Sequence, residues 1–120
     1  MSELHREQCT PCRRGAVPLT DAEIEALSAQ LPEWTVTSQD AVPRLTRSFR
    51  VPDFATALQC ANRIGAIAEE TNHHPLIVIE WGRVTVSWWT HTIGGLHRND
   101  FIMAARTDSL MMPPARFQQG

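Results

Sequence analysis

Apolar residues recur along this chain with two periods, one of about 3.6 residues and one of about two residues. The helical period occurs in three segments bounded by helix start or stop signals, at residues 19–32, 52–72 and 97–110. Thr20 with Glu23 has the spacing of a capping box, and Pro32 ends the first segment. Asp53 can cap the second segment. The pattern therefore predicts three helices.

The two-residue period predicts four β-strands that pair as two hairpins. They are expected at residues 33–38, 43–51, 76–80 and 83–90. The polar sequence SQDAVP separates the first pair, and Trp81-Gly82 forms a tight turn within the second pair. The order α-β-β-α-β-β-α predicts an α+β fold, a four-stranded antiparallel sheet with three helices on one face.

The two ends of the chain lack either period. Residues 1–18 predict a flexible N-terminal arm, and residues 113–120 predict a C-terminal tail. The chain has 120 residues, of which 42% are hydrophobic and 20% are charged. This composition is typical of one ordinary globular domain.

The charge pattern argues against a nucleic-acid partner. The formal net charge is -2, and Arg13-Arg14 is too short a basic run to form a binding patch. No apolar stretch reaches the roughly 18 residues that a membrane-spanning helix needs. The N-terminal sequence has neither an apolar signal-peptide core nor a transit-peptide pattern, so we expect a cytoplasmic protein without a membrane partner.

The chain has 3 cysteines, an odd number that argues against a disulfide framework. Cys9 and Cys12 form a CxxC motif, which can supply half of a zinc site or act as a redox pair. No second CxxC follows and no predicted strand precedes the motif, which favours a solvated tail. Cys60 falls in the second predicted helix, where it packs as a small hydrophobic residue.

Candidate chemistry concentrates in residues 70–91, where His73-His74 follows a predicted helix and His91 ends the last predicted strand. Adjacent residues in extended chain point to opposite sides, so His73 and His74 have different roles. Glu69 lies four residues before His73, within reach as a partner on the same helix face. Three interpretations of the histidines remain open on spacing alone: helix and sheet capping, a zinc site, and acid–base catalysis by paired imidazoles.

A longer combination of residues decides among these interpretations. The chain resembles the pterin-4a-carbinolamine dehydratase family at Glu69-x-x-x-His73-His74-Pro75, at Trp81, at Thr90-His91 and at Gly94-Gly95-Leu96-x-x-x-Asp100. The upstream segments LPEW and SFRVPDFATAL are also similar to family segments. The resemblance covers residues 19–112, which we take as the pterin carbinolamine dehydratase-like domain.

The resemblance implies a homodimer or homotetramer that acts on a pterin substrate. The implied reaction is dehydration of 4a-hydroxytetrahydropterin to quinonoid dihydropterin, with no metal and no redox cofactor. Carried over by motif position, His73 and His91 are the catalytic acid–base pair. His74 binds the pterin, and Glu69 holds the imidazoles in the substrate-binding part of the site.

Two further motif positions carry less specific expectations. Trp34 occupies a position that is aromatic in the family, and it is either a wall of the pterin pocket or a core tryptophan. Asp100 falls in the first turn of the last predicted helix, where a carboxylate interacts favourably with the helix dipole. We assign Asp100 no catalytic role on this basis.

The chain also departs from the family pattern. Leu76-Ile77 stand where many family dehydratases have Glu-Trp, and His97 stands at the start of the last helix, where serine or threonine is usual. The stretch WTHTIGGLHRNDFIMAA resembles in particular a dehydratase-like branch of plastids and alpha-carboxysome operons that is implicated in Rubisco assembly. The alternative function is therefore a carboxysome-associated Rubisco assembly factor, a chaperone with the Rubisco large subunit as partner and weak or no dehydratase activity.

Overall fold

Local sequence signals set where most of the helices and strands begin and end. The computed structural model describes residues 4–9 and 16–111. Its helices are α1 (Asp21–Ser28), α2 (Phe54–Thr71) and α3 (Arg98–Met111). Its strands are β1 (Thr35–Gln39), β2 (Val42–Arg50), β3 (Leu76–Glu80) and β4 (Arg83–Trp88). The order α-β-β-α-β-β-α confirms the predicted α+β fold.

The four strands form one antiparallel sheet in the order β1-β2-β4-β3. Two-residue turns close both hairpins, at Asp40-Ala41 and at Trp81-Gly82. Positive φ values at both Asp40 and Ala41 match the right-handed twist of the strands that flank the first turn. In the second turn φ is positive at Gly82, where glycine adopts it without strain. Because α2 connects the two hairpins, the chain returns to place β4 beside β2 in the middle of the sheet.

The two faces of the sheet differ in composition, as the period of two residues predicts. The face under the helices is mainly apolar, and its buried residues include Leu45, Phe49, Val84, Val86 and Trp88. On the opposite face, hydroxyl groups bond across three strands, with Thr37 Oγ1 and Ser87 Oγ each 2.9 Å from Thr46 Oγ1. All three helices contribute buried side chains to the single core cluster.

Helix α1 begins with the predicted capping box but is shorter than predicted. Thr20 Oγ1 accepts a hydrogen bond from the Glu23 backbone N–H, and Glu23 Oε1 accepts one from the Thr20 backbone N–H. The helix ends at Ser28, before Pro32, because two successive backbone turns then direct the chain inward. These turns bury both Leu31 and Trp34 in the core.

Helix α2 ends in a Schellman motif that directs the following histidines. Asn72 adopts the left-handed conformation with φ 53, which asparagine tolerates better than most residues. Its backbone N–H donates to the Glu69 carbonyl, and the His73 backbone N–H donates to the Ala68 carbonyl at 3.1 Å. The chain therefore leaves the helix axis at Asn72, and His73 lies beyond the helix.

Part of the predicted N-terminal arm packs on the domain. Leu4–Arg6 form a 3-10 turn against α3, and Leu4 is only 1% exposed. The Glu7 carboxylate accepts two hydrogen bonds from the Arg98 guanidinium at 2.8 and 2.7 Å. The buried leucine and this bidentate pair supply contacts that a periodicity argument does not detect.

Other expectations for the chain ends fall largely outside residues 4–9 and 16–111. Cys9 is half-buried at the edge of the core, whereas Cys12 lies outside the described residues, as does the predicted tail. The CxxC motif therefore remains a prediction. Within the described ranges, none of the helices combines the length and apolar character required to cross a membrane.

Candidate active site

A buried histidine–aspartate pair lies among the motif residues that carry the family resemblance. His73 Nε2 is 2.6 Å from Asp100 Oδ1, and the side chains of His73 and Asp100 are 12% and 0% exposed. The His73 ring stacks on the Trp88 ring, with centroids 5.7 Å apart and planes 9° from parallel. Because Trp88 ends β4 and Asp100 begins α3, sheet and helix together fix the imidazole.

Asp100 also joins the end of the sheet to the start of α3. Its Oδ2 accepts hydrogen bonds from Thr90 Oγ1 at 2.7 Å and from the His97 backbone N–H at 2.9 Å. The bond to His97 is the carboxylate half of a capping box. The His97 ring supplies the other cap, since its Nδ1 accepts from the Asn99 backbone N–H at 3.0 Å. Asp100 thus binds three donors from three segments of the chain.

This geometry revises the role that the sequence suggested for Asp100. Its position in the first turn of α3 indicated only an interaction with the helix dipole, whereas it is the direct partner of His73. A carboxylate only accepts hydrogen bonds, so His73 Nε2 carries the hydrogen, and in the neutral imidazole the lone pair is then on Nδ1. The pair can therefore hold one tautomer of the imidazole and stabilise it when it gains a proton.

His74 has a different partner and a different environment. Its Nε2 is 2.5 Å from Glu69 Oε2, and the side chains of His74 and Glu69 are 52% and 77% exposed. The prediction that Glu69 pairs with His73 at helical spacing was wrong, because α2 ends at Thr71 and His73 turns toward Asp100. The adjacent histidines therefore bind separate carboxylates, one at the surface and one buried.

His91 lies at the surface, one residue beyond the buried Thr90. Strand β4 ends at Trp88, and Thr90 pairs with Gly95 across a short 3-10 turn, His91–Ile93. The His91 ring contacts the Trp89 ring, with centroids 4.5 Å apart. Thr90, the residue before His91, bonds to Asp100, which bonds to His73, whereas the His91 side chain itself is exposed.

The structure places Trp34 in the core. It is 4% exposed, and its ring packs edge-on against Phe49 with centroids 6.1 Å apart. Its Nε1 donates to Asp108 Oδ1 at 2.9 Å, and the Arg47 guanidinium donates to the same oxygen at 2.8 Å. Burial raises the pKa of Asp108 even though the bonds from Trp34 and Arg47 oppose the shift. Trp34 therefore supports the fold, and the pocket-wall interpretation is not retained.

The arrangement of side chains bears on the zinc interpretation. No group of three histidine, cysteine, aspartate or glutamate side chains with metal-binding geometry occurs within residues 4–9 and 16–111. His73 and His74 bind separate carboxylates rather than converging on one point. The described arrangement therefore gives the zinc hypothesis no support.

Comparison with known proteins identifies the family. Residues 17–110 match the profile of the family described as Pterin 4 alpha carbinolamine dehydratase. A relative from Chlorobium limicola, named for pterin-4-alpha-carbinolamine dehydratase, is 54% identical over 110 residues, covering 92% of this chain and 97% of the relative. A relative from Microcystis aeruginosa with the same name is 47% identical over 110 residues, covering 92% of this chain and 95% of the relative.

Solved structures agree with this assignment. The transcriptional coactivator/pterin dehydratase of Brucella melitensis superposes with a TM-score of 0.70 at 30% identity, covering 78% of this chain and 98% of that protein. A pterin dehydratase-like RuBisCO assembly factor of the alpha-carboxysome has a TM-score of 0.56 at 23% identity, covering 67% of this chain and 90% of that protein, and shows the shared fold alone. The sequence match, the fold and the solved relative together establish that the chain belongs to the pterin-4a-carbinolamine dehydratase family.

Proposed function

We propose that this protein dehydrates 4a-hydroxytetrahydropterin to quinonoid dihydropterin by acid–base catalysis with histidines. Membership of the family supports the reaction class, and the names of relatives about half identical to this chain point the same way. The single observation that carries the catalytic assignment is the buried His73–Asp100 pair. A histidine with a carboxylate partner and one remaining ring nitrogen is suited to moving a proton.

The reaction requires two proton transfers and no change in redox state. The C4a–O bond breaks as the departing hydroxyl gains a proton and leaves as water. N5 loses its proton, and a C4a–N5 double bond forms. We assign the two proton-transfer roles to His73 and His91. His73 bonds to Asp100, and His91 directly follows Thr90, whose hydroxyl bonds to the same carboxylate.

The supporting roles follow from exposure and hydrogen bonding. His74 is exposed and bonded to Glu69, so it can present one ring nitrogen to a polar edge of the pterin while the carboxylate fixes its orientation. Glu69 acts through His74 alone, since His73 is held by Asp100. Among the sequence-derived candidates, Trp34 is left out of the substrate site because it is buried in the core.

A homo-oligomer is part of the proposal. Strand β3 lies at an edge of the sheet, and its residues Leu76, Val78 and Ile79 are exposed, as is Trp81 in the following turn. An apolar edge strand of this kind favours pairing with another chain. Light scattering coupled to size-exclusion chromatography distinguishes a monomer from the homodimer or homotetramer that we expect.

The Rubisco assembly-factor alternative has weaker support. One of its sequence arguments, His97, has a local explanation, because the ring caps α3 through Asn99. Leu76 is exposed on β3 and can contact any partner, including another copy of this chain. The structural similarity to the RuBisCO assembly factor shows a shared fold and gives no evidence for a shared function. Co-expression with a Rubisco large subunit tests this alternative, which predicts an increased yield of assembled enzyme.

The proposed reaction is tested by following the ultraviolet absorbance of chemically generated 4a-hydroxytetrahydropterin with and without the purified protein. We expect His73→Ala and His91→Ala each to lower turnover by about 10²- to 10⁴-fold. Arg50→Ala is the matched control, because Arg50 is exposed at the opposite end of β2 and should leave turnover unchanged. A decay rate equal to the uncatalysed background with the wild-type protein would refute the proposed function.

A further inference from the structure

Trp89 lies at the boundary between the sheet and the candidate active site. It follows β4 directly and is half-buried. Two side chains pack on its ring: the Arg44 guanidinium carbon is 3.8 Å from the ring centroid, and the His91 ring centroid is 4.5 Å away at 40°. The indole therefore connects a residue of β2 with a proposed acid–base residue.

Arg44 is held mainly by this stacking contact. Its neighbour Leu45 pairs with Trp88, so strand register carries Arg44 to the level of Trp89. Its Nη1 donates to Gln39 Oε1 at 3.1 Å, while its Nε is buried without a hydrogen-bond partner in the part of the chain that the structure describes. Since an unpaired buried donor is unfavourable, the cation–π contact must offset it. The guanidinium is thereby held over the indole.

His91 lacks the kind of anchor that the other two histidines have. His73 and His74 each bond to a carboxylate, whereas the exposed His91 ring has no described hydrogen bond or ion pair within residues 4–9 and 16–111. Its described ring contact is the one with Trp89. An exposed side chain without a fixed contact occupies several staggered rotamers. The indole is therefore the group that restricts the imidazole.

We infer that Trp89 and Arg44 are positioning residues that hold the His91 imidazole in place for proton transfer. This inference rests on the proposed function, since it concerns a residue of that reaction. Proton transfer needs the ring within hydrogen-bonding reach of the substrate, and small misplacements reduce the rate strongly. Loss of the indole should therefore lower kcat more than it changes KM, because the His91 side chain then occupies several rotamers while no binding group is removed.

The test compares Trp89→Ala with the ring-preserving variant Trp89→Phe. We expect kcat of Trp89→Ala to fall about 10- to 100-fold with KM changed less than about threefold, and Trp89→Phe to retain kcat within about threefold of wild type. Arg44→Met, which keeps the apolar stem and loses the cation, should lower kcat less than Trp89→Ala does. Adding Trp89→Ala to His91→Ala should produce no further loss, because the indole acts through the imidazole.

A spectroscopic measurement separates this inference from the proposed function. In the wild type, the ring current of the indole should displace the His91 ring-proton resonances. The phenyl ring of Trp89→Phe should displace them more weakly, and the displacement should vanish in Trp89→Ala. Circular dichroism identifies variants that fail to fold. If Trp89→Ala fails to fold, kcat of Arg44→Met is compared with kcat of the wild type instead. Unchanged His91 resonances in Trp89→Ala overturn the inference, as does an unchanged kcat in an active enzyme. A wild-type protein without dehydratase activity refutes the proposed function, while displaced resonances still show that Trp89 positions His91.

Discussion

Replacing Asp100 with asparagine preserves the shape of the side chain and removes its charge. Asp100 accepts hydrogen bonds from His73, Thr90 and the His97 backbone. If the asparagine Oδ1 accepts from Thr90 and His97, its amide nitrogen faces His73 Nε2 and donates to it. The imidazole hydrogen must then move to Nδ1. The variant therefore holds the opposite tautomer and loses the lone pair that the proposed mechanism uses.

The stability cost follows from the same three bonds. Hydrogen bonds to a charged group contribute about 1.5–3 kcal/mol each, and neutral ones about 0.5–1.5 kcal/mol. Because Asp100 is 0% exposed, water does not screen these three bonds. Asp100→Asn should lower the free energy of unfolding by about 3 kcal/mol. For a domain of this size, the melting temperature should fall by about 12 °C.

Activity should fall much further than stability. We expect the turnover of 4a-hydroxytetrahydropterin to decrease by about 10²- to 10⁴-fold in Asp100→Asn, measured below its melting temperature. Asp108→Asn is the matched control, because Asp108 is also a hydrogen-bonded carboxylate on α3 but its partners are Trp34 and Arg47. Turnover of Asp100→Asn within about threefold of wild type would refute the assignment of Asp100 to His73. An equal loss of turnover in Asp108→Asn would also contradict it.

Three further predictions concern the fold. Thr20→Ala removes the side-chain cap of α1 and should lower the free energy of unfolding by about 1 kcal/mol, measured by urea denaturation. Asn72→Ala places an ordinary residue in the left-handed conformation and should cost about 1–2 kcal/mol, whereas Asn72→Gly should cost little. The free energy of unfolding of Asp108→Asn should increase relative to that of the wild type as pH rises from 4 to 7, measured by unfolding curves at each pH.

The sign of the Asp108 effect follows from its raised pKa. The folded state holds the proton to a higher pH than the unfolded state, so the stability from this group is complete below the unfolded pKa and is lost as pH rises through the folded pKa. Parallel stability curves for wild type and Asp108→Asn would contradict this assignment.

Thr20→Ser is the control for the cap, and equal stability of Thr20→Ala and wild type would argue against the capping box. Equal costs for the Asn72→Ala and Asn72→Gly variants would exclude backbone strain as the cause.

The histidines of the candidate site could be predicted because the family signature places them at fixed spacings along the sequence. The three histidines were identified from the spacing of the family signature, and the geometry bonds one of them, His73, to Asp100 and through it to Thr90. The roles of the carboxylates could not be predicted in the same way. Glu69 and His73 have ideal helical spacing, but a left-handed residue between them ends the helix. One backbone conformation at Asn72 thus changed which carboxylate holds which imidazole.

Features that depend on neighbouring residues could be predicted from the amino-acid sequence alone. The capping box of α1, the Asp53 cap of α2, the two hairpin turns and the element order all arise from interactions over a few residues, which composition and spacing encode directly. The buried face of the sheet follows from the period of two residues for the same reason. These local preferences agree with one another, so they predict the fold well.

Contacts between residues that are distant along the chain depend on how the helices pack on the sheet. His73 meets Asp100 from 27 positions away, Trp34 reaches Asp108 from 74 positions away, and Arg44 packs on Trp89 across two paired strands. No local propensity encodes these pairs, because they form only when the helices pack on the sheet and the end of β4 meets the start of α3. Burial then makes each contact strong, since a polar group removed from water must find its partner within the protein.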